Sequence, residues 1–372
     1  MSGTLGIFLF VVAILVTIII HEAAHFGFAK WFGIKVEEFF VGFGPRLWST
    51  KRGETEYGVK ALPPGGYVRI AGMNPLEEIP PEEYPRTFGA KPAWQRAVVI
   101  AAGPATHFVV AFVFFALWLG LVGQQVDRGV QFDAVAKTLS GAPSPAAGAG
   151  LRASDRVIRI DGIANPTPQQ LYDETQRRGG KPVALTVKRG SQVFTITVTP
   201  VRATVAGQQV WRIGVLTAPV AIVRERSGPV SSIVDGAKMV GSTTSLAVLS
   251  FGKLFDVGRI YDELFGGAPR QQTDPASLVG VARIAGQTAQ HNFGDLLVLL
   301  ASLNIFIGLL NLLPLPPFDG GHLAVIAFEK IRGGRKVDMR KLIPVTAVVA
   351  TFLMIFVGSL LLLDILKPIP FP

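Results

Sequence analysis

The sequence contains no cysteine, and charged residues make up only 17% of its 372 residues. Without cysteine there are neither disulfides nor thiolate metal ligands, so any metal must be held by histidine and carboxylate groups. A hydrophobic content of 49% with so little charge excludes an ordinary soluble enzyme. The length leaves room for a membrane core and one small additional domain.

The sequence has fewer acidic residues than basic ones, 26 against 36, and the formal net charge is +10. The basic residues concentrate in short loops beside apolar runs rather than in a stripe of the kind that binds nucleic acid. This pattern is typical of loops that orient a membrane protein. We therefore predict the lipid bilayer as a partner and no nucleic-acid partner.

Four apolar runs are long enough to cross a bilayer, which takes about 20 residues. They cover residues 5–28, 97–122, 296–313 and 342–366. The first run lacks the basic segment and cleavage site of a signal peptide, so we expect it to remain as a membrane helix. Residues 30–96 and 330–341 are rich in Lys and Arg and are predicted to be cytoplasmic. Both termini and residues 123–292 then lie outside, in a multi-pass protein of the inner (cytoplasmic) membrane.

The first apolar run carries the motif His21-Glu22-Ala23-Ala24-His25. Ionisable groups inside a membrane helix are costly and by default mark function. Residues i and i+4 share a helix face, so His21 and His25 can direct both imidazoles toward one metal ion. Glu22 lies beside them, where a carboxylate can take a proton from a metal-bound water. The alternative is a chance match in a soluble helix, which the apolar surroundings disfavour.

A catalytic zinc site usually has three protein ligands, so a third must come from elsewhere. The candidates are the other histidines (107, 291 and 322) and carboxylates near the membrane. Residues 311–322 stand out because proline-broken chain at membrane depth usually lines a cavity. His21 lies about 24 Å along its helix from the outer end, or roughly four-fifths of a 30 Å core. The third run also starts outside, so Asp319 emerges at a similar depth.

Residues 40–72 are aromatic and glycine-rich, and their short alternating runs predict a β-hairpin that turns at Lys51-Arg52-Gly53. The hairpin follows the metal-motif helix directly, so its apolar tip could enter the membrane where it faces protein or a cavity. Its strand edge could then hold an extended peptide. A cytoplasmic surface hairpin is the alternative.

Residues 124–218 alternate between strand and helix patterns. We predict strands over residues 131–137, 155–160, 183–188 and 193–199, and helices over residues 144–151 and 167–178. This order and size are typical of a small peptide-binding module. Residues 219–292 combine Gly/Ser/Thr-rich stretches with amphipathic ones, so they either lie along the outer membrane face or form a linker.

Together these motifs resemble the site-2 protease family of intramembrane zinc metalloproteases, whose bacterial members include the regulator of sigma-E protease. The matching pieces are residues 21–25, residues 311–321, residues 42–45 with 65–68, and a PDZ-like domain between the second and third spans. The resemblance covers nearly the whole chain. It implies a multi-span α-helical membrane protein with four transmembrane helices, a membrane-associated β-hairpin and an inserted extracytoplasmic PDZ-like α+β domain.

The resemblance also implies a domain order. Residues 1–123 would hold the first two spans and the hairpin, and residues 124–218 the PDZ-like domain. Residues 219–292 would be a membrane-proximal linker that is partly amphipathic, and residues 293–372 would hold the last two spans.

Roles for individual residues follow from the same resemblance. The zinc ligands would be His21, His25 and Asp319, and Glu22 would be the general base. The substrate would contact Asn311, Gly42, Phe43 and Gly44. Substrates would be single-span membrane proteins such as anti-sigma factors, already shortened by an earlier cut.

Two histidines leave this assignment open. His107 stands where the family usually has Asn, so it is either a further metal ligand or a hydrogen-bonded packing residue. His322 rivals Asp319 as the third ligand, whereas His291 is expected at the surface. Two other functions also stay open, a membrane-anchored zinc peptidase acting at the cytoplasmic face and a non-catalytic membrane scaffold or transporter.

Overall fold

The computed structural model describes residues 2–74, 76–139, 141–205 and 208–370. Its α-helices are α1 Gly3–Trp31, α2 Ala93–Leu117, α3 Pro145–Gly148, α4 Pro168–Arg178, α5 Pro229–Leu254, α6 Val257–Leu264, α7 Leu278–His291, α8 Leu296–Asn311, α9 Asp319–Ile331 and α10 Ile343–Leu366. Its strands are β1 Val36–Arg52, β2 Thr55–Ile70, β3 Gln124–Val135, β4 Thr138–Leu139, β5 Ala142–Pro143, β6 Arg156–Ile160, β7 Ile163–Ala164, β8 Val183–Arg189, β9 Gln192–Val198, β10 Val201–Val205, β11 Gln208–Arg212 and β12 Val215–Glu225. The chain divides into two compact units, Met1–Val122 with Ser227–Pro372, and Gly123–Arg226.

Four helical segments of the first unit are long and apolar enough to cross a membrane. They are Gly3–Trp31, Ala93–Val122, Phe293–Asn311 and Met339–Leu366. The four predicted runs are therefore confirmed as helical. Their composition explains the conformation, because a helix satisfies its own backbone hydrogen bonds where no water is present.

The helices that carry the metal motif and its neighbours approach one another closely. Ala111 and Phe115 of α2 pack with Ala301 and Ile305 of α8, and all four are buried. Small residues allow such close packing in a membrane, where van der Waals contact rather than water exclusion drives helix association. α1 packs against both α2 and α7. This packing turns the face of α1 that carries the histidines toward α2.

Residues 219–292, for which the sequence left linker and membrane-surface helix open, contain the end of β12 and the three helices α5, α6 and α7. α5 packs against α2 and α8 through Met239 and Val240. α6 packs against α10, where Ile260 meets Phe356 and Leu360. Because α5 is rich in Gly, Ser and Thr, which are weak helix formers, tertiary packing rather than intrinsic propensity stabilises it.

The predicted hairpin is present as β1 and β2, which join at Gly53 with a φ of +63°. Phe39 of β1 pairs with Val68 and also with Tyr57 of β2. Both strands therefore fold back on themselves and form four short antiparallel stretches. Residues 66–70 lie at one edge of this small sheet.

Two glycines allow β1 to bend back in this way. Gly42 and Gly44 have φ angles of +86° and +81°, a region that L side chains rarely adopt. A Cβ on Gly42 would also come within 2.6 Å of the Leu62 carbonyl oxygen. The glycine-rich sequence at this position is thus a requirement of the bend.

The second unit is built around an antiparallel sheet with strand order β12-β3-β6-β8-β9, and β7 pairs with β6. Its core includes the fully buried residues Val130, Phe132, Val157, Leu185 and Val187. α4 begins with a capping box formed by Thr167 and Gln170. The strands predicted over residues 155–160, 183–188 and 193–199 and the helix over residues 167–178 are confirmed to within one residue.

Candidate metal centre

Three side chains of the first unit converge on one point. The Nε2 atoms of His21 and His25 lie 3.2 Å apart. Oδ2 of Asp319 lies 3.3 Å from the first and 3.4 Å from the second. Among the described residues, these are the His, Asp and Glu side chains that group closely enough to hold a metal ion.

The dimensions of this triangle fit zinc. Tetrahedral ligands at the usual Zn–N and Zn–O distances of about 2.0–2.1 Å stand about 3.3–3.4 Å from one another. Oδ2 of Asp319 is buried and has no hydrogen-bond partner in the described part of the chain. A buried carboxylate oxygen without a donor is costly, and a cation at the centre of the triangle would compensate it.

His25 is held in the orientation that a ligand needs. Its Nδ1 donates a hydrogen bond to the Val99 carbonyl oxygen of α2 at 2.8 Å. That bond fixes the ring and leaves the lone pair on Nε2 free to bind a metal ion, the usual arrangement for metal-binding histidines. The same hydrogen bond connects the helix of the metal motif, α1, to the second span, α2.

Asp319 reaches the centre from the N-terminus of α9, after the proline-rich loop that follows α8. The two following glycines are packed against that loop. A Cβ on Gly320 would lie 2.2 Å from the Leu313 carbonyl oxygen, and one on Gly321 would lie 2.6 Å from the Pro316 nitrogen. The Asp-Gly-Gly sequence therefore lets the loop and the helix approach closely enough to place the carboxylate.

Glu22 lines a cavity of about 150 Å³ together with the three converging side chains. Tyr67 and Val68, from the edge stretch of residues 66–70 in the small sheet, form another part of its wall. The Glu22 side chain lies against the Val68 backbone, and a Cβ on Gly66 would be 3.4 Å from Glu22 Cγ. Glu22, the three converging side chains and residues 67 and 68 of the small sheet thus border one cavity.

The other histidines lie outside the triangle. His107 is buried, its ring centroid is 5.0 Å from that of His21, and its Nδ1 lies 3.1 Å from Oδ1 of Asn304. His322 lines two neighbouring cavities that Met73 also borders. His291 ends α7 and is exposed.

The remaining candidates from the sequence are not among the residues that line the cavity beside Glu22. Asn311 is the half-buried last residue of α8. Phe43, between Gly42 and Gly44, is 46% exposed and stacks on Tyr67 with ring centroids 6.3 Å apart. Through Tyr67 this bend is connected to the cavity wall.

Sequence reasoning missed two residues that shape the centre, Gly103 and Val99 of α2. A Cβ on Gly103 would lie 2.2 Å from Nε2 of His25. The signal available was the Gly103-Pro104 pair inside the second span, but no sequence pattern states which helix Gly103 faces.

The chain is similar to known proteins over nearly its whole length. The model of peptidase family M50 matches residues 9–356. The chain belongs to this family. Zinc metalloprotease Rip1 of Mycobacterium tuberculosis is 35% identical over 413 residues, covering 98% of both chains. Rip1 of Mycolicibacterium smegmatis is 33% identical over 405 residues with the same coverage. The putative zinc metalloprotease Atu1380 of Agrobacterium fabrum is 30% identical over 351 residues, covering 90% of this chain and 88% of that protein.

Membership of family M50, the site-2 protease family, makes the chain a zinc metallopeptidase. The expected family and the expected zinc cofactor are therefore confirmed. Together with four apolar helices, the family also supports a multi-pass membrane protein.

Proposed function

We propose that this peptidase is an intramembrane site-2 protease that cleaves single-span membrane proteins within or beside their transmembrane helix. The observation that supports it is the position of the converging side chains. His21 and His25 belong to a helix that is long and apolar enough to span the bilayer. Asp319 meets them from the loop that follows the third such helix. A peptide bond that reaches this centre must itself lie at membrane depth.

His21, His25 and Asp319 would hold the zinc ion. Bound zinc supplies a more acidic water and polarises a carbonyl group. Glu22 accepts the proton of the attacking water and passes it to the leaving amine, as a general base and then a general acid. Burial of Glu22 in a narrow cavity keeps its carboxylate within reach of both groups.

The edge stretch of residues 66–70 would hold the substrate in an extended form. A transmembrane helix must unwind before cleavage because its carbonyl groups are already hydrogen-bonded. Residues 66–70 pair with residues 36–41 along one side. Tyr67, Val68 and Ile70 line the catalytic cavity. A substrate strand added to this edge would lie directly beside Glu22.

Asn311 and residues Gly42, Phe43 and Gly44 would complete the substrate site. Asn311 is only half-buried, which leaves its side-chain amide accessible to a substrate backbone. The exposed half of Phe43 would contact a substrate side chain while its ring supports Tyr67. The bend at the two glycines sets this position.

The second unit would act as an extracytoplasmic PDZ-like domain. β12 is an edge strand of its sheet, and a cavity beside it is lined by Leu171 and Tyr172 of α4 and by Ile213 and Val215. An edge strand next to a helix is the arrangement that PDZ domains use to bind extended peptides. The domain would recruit or filter substrates already shortened by a first cut, such as anti-sigma factors. The basic loops support its placement outside the inner membrane, with both termini.

Cleavage of a purified single-span substrate in detergent or liposomes tests this function. Wild type should release two fragments, and Glu22→Gln should release none over the same period. Glu78→Gln is the matched control, because Glu78 is an exposed loop carboxylate. If Glu22→Gln cleaves as well as wild type, the protease mechanism proposed here is wrong.

A further inference from the structure

The two histidines of the metal centre are supported unequally. Nδ1 of His25 has the Val99 carbonyl oxygen as its acceptor at 2.8 Å. Nδ1 of His21 is buried and has no hydrogen-bond partner among the described residues. A metal-bound imidazole carries a hydrogen on its second nitrogen, and that N–H almost always donates to an acceptor. His21 therefore requires an acceptor that the metal motif itself does not supply.

The face of α2 beside His21 contains one suitable side chain. Gly103 faces the His21 ring, since a Cβ there would lie 2.7 Å from Cε1, the carbon that joins the two ring nitrogens. One helical turn further along α2 is His107, only 2% exposed, with its ring 5.0 Å from the His21 ring. Residues four apart share a helix face, so both contacts belong to the same surface.

Asn304 of α8 determines which nitrogen of His107 can accept. Nδ2 of Asn304 donates to the Leu300 carbonyl oxygen at 2.8 Å. Oδ1 of the same amide is therefore the atom that faces His107, and it accepts from Nδ1–H at 3.1 Å. In a neutral imidazole the other nitrogen then carries a lone pair. Asn304 thus presents His107 as a hydrogen-bond acceptor through Nε2.

We propose that His107 is a positioning residue for the zinc ligand His21, an inference that rests on the proposed metal centre. Nδ1–H of His21 donates to one water molecule, and that water donates to Nε2 of His107, since the ring centroids are 5.0 Å apart and Nδ1 of His21 has no direct partner among the described residues. The chain Asn304–His107–water–His21 fixes the orientation of the His21 ring and makes its Nε2 a better ligand. Removal of such a supporting group typically lowers metal affinity by about 10–100-fold.

The test is the zinc dissociation constant of the purified full chain, measured by competition with a chelator. His107→Ala should bind zinc about 10–100-fold more weakly than wild type. His107→Gln should restore most of the affinity, because its amide oxygen can accept the same hydrogen bond. Asn304→Leu should give an intermediate loss, since it releases the His107 ring without removing it.

Phe108→Ala is the matched packing control. Phe108 is the next residue of α2 and packs in the same contact with α8, and it is not one of the residues that line the cavity beside Glu22. Its zinc affinity should equal that of wild type. The proposal is wrong if His107→Ala binds zinc as tightly as wild type, or if His107→Gln is as weak as His107→Ala.

The cobalt-substituted protein separates a positioning role from direct ligation. If His107 only positions His21, cobalt bound to the His107→Ala variant should keep the absorption intensity of a four-coordinate site. A loss of affinity as large as that of Asp319→Ala, with a changed cobalt spectrum, would make His107 a ligand and overturn the proposal. Full zinc binding by both His25→Ala and Asp319→Ala would instead overturn the metal centre itself.

Discussion

Gly103 of α2 lies against His25 of α1 so closely that a Cβ at this position would be 2.2 Å from Nε2. It would also be 2.7 Å from Cε1 of His21. Since real Cβ atoms do not approach other atoms this closely, either the helices or the imidazoles would have to move. Both imidazoles belong to the proposed metal centre, and the missing side chain of Gly103 leaves the space that they occupy.

Substitution Gly103→Ala should therefore remove metal. We expect the added methyl group to displace His25 from the triangle and to lower zinc affinity by about 10–100-fold, the usual loss when a ligand is no longer held in place, with cleavage lost in parallel. The zinc dissociation constant of the purified variant, measured by competition with a chelator, tests this. Gly27→Ala in α1 is the control, because no atom lies within 4 Å of a Cβ built there. A zinc affinity of Gly103→Ala equal to that of wild type would contradict the packing described here.

The third ligand can be assigned by comparing two neighbouring side chains. Asp319→Ala should reduce bound zinc well below wild type, because Oδ2 of Asp319 is 3.3–3.4 Å from both histidine nitrogens. His322→Ala should keep its zinc, since its ring lies outside the triangle. Zinc content after dialysis against a weak chelator distinguishes the two. The opposite result would make His322 the ligand.

The contact between α2 and α9 contains a buried ion pair. Nη2 of Arg96 donates to Oε2 of Glu329 at 2.6 Å, and the two side chains are 7% and 5% exposed. Glu329→Ala leaves the guanidinium buried and unpaired, which typically costs about 3–5 kcal/mol of stability. Thermal unfolding in detergent should show a large decrease in Tm. Asp235→Ala, which breaks an exposed pair with Lys238, should change Tm far less.

Stability should also depend on pH through Glu263. Burial, reinforced by the neighbouring Asp274 carboxylate, raises the pKa of Glu263 from 4.5 to about 7. Between these values the folded chain binds the proton more tightly than the unfolded chain, so raising the pH across this window destabilises the fold. Burial opposes ionisation of Asp274, but hydrogen bonds from Arg259 outweigh it and lower the pKa of that carboxyl, which stays ionised throughout.

The measurement is the difference in Tm between pH 5 and pH 8 for wild type and Glu263→Gln. Wild type should lose more stability than the variant, because Gln cannot ionise. An equal difference in both proteins would show that Glu263 does not titrate in this window.

The sequence was sufficient to predict those features that depend on residue spacing along a helix or on the length of an apolar run. The i, i+4 spacing placed His21 and His25 on one helix face, and apolar length identified the four spans. The estimated depth of His21 and the direction of the third span were enough to predict that Asp319 lies near the two histidines. These inferences need no knowledge of which surfaces pack together.

Features that depend on packing could not be predicted. Gly103 matters only because α2 faces the histidines, and α5 is helical because α2 and α8 cover one of its faces. The double pairing of Phe39 follows from the bend at Gly42 and Gly44, which no alternating pattern encodes. The acceptor state of His107 depends on Asn304, a residue of another helix.

Asp319 lies near the other end of the chain from the two histidines that it joins. During synthesis, α1 and α2 leave the ribosome early, whereas α8 and α9 follow only after the whole second unit. Metal affinity develops only when all ligands are in place. A nascent or truncated chain that ends before Asp319 therefore carries both histidines without the third converging side chain, so the candidate centre can form only after the third span has been made.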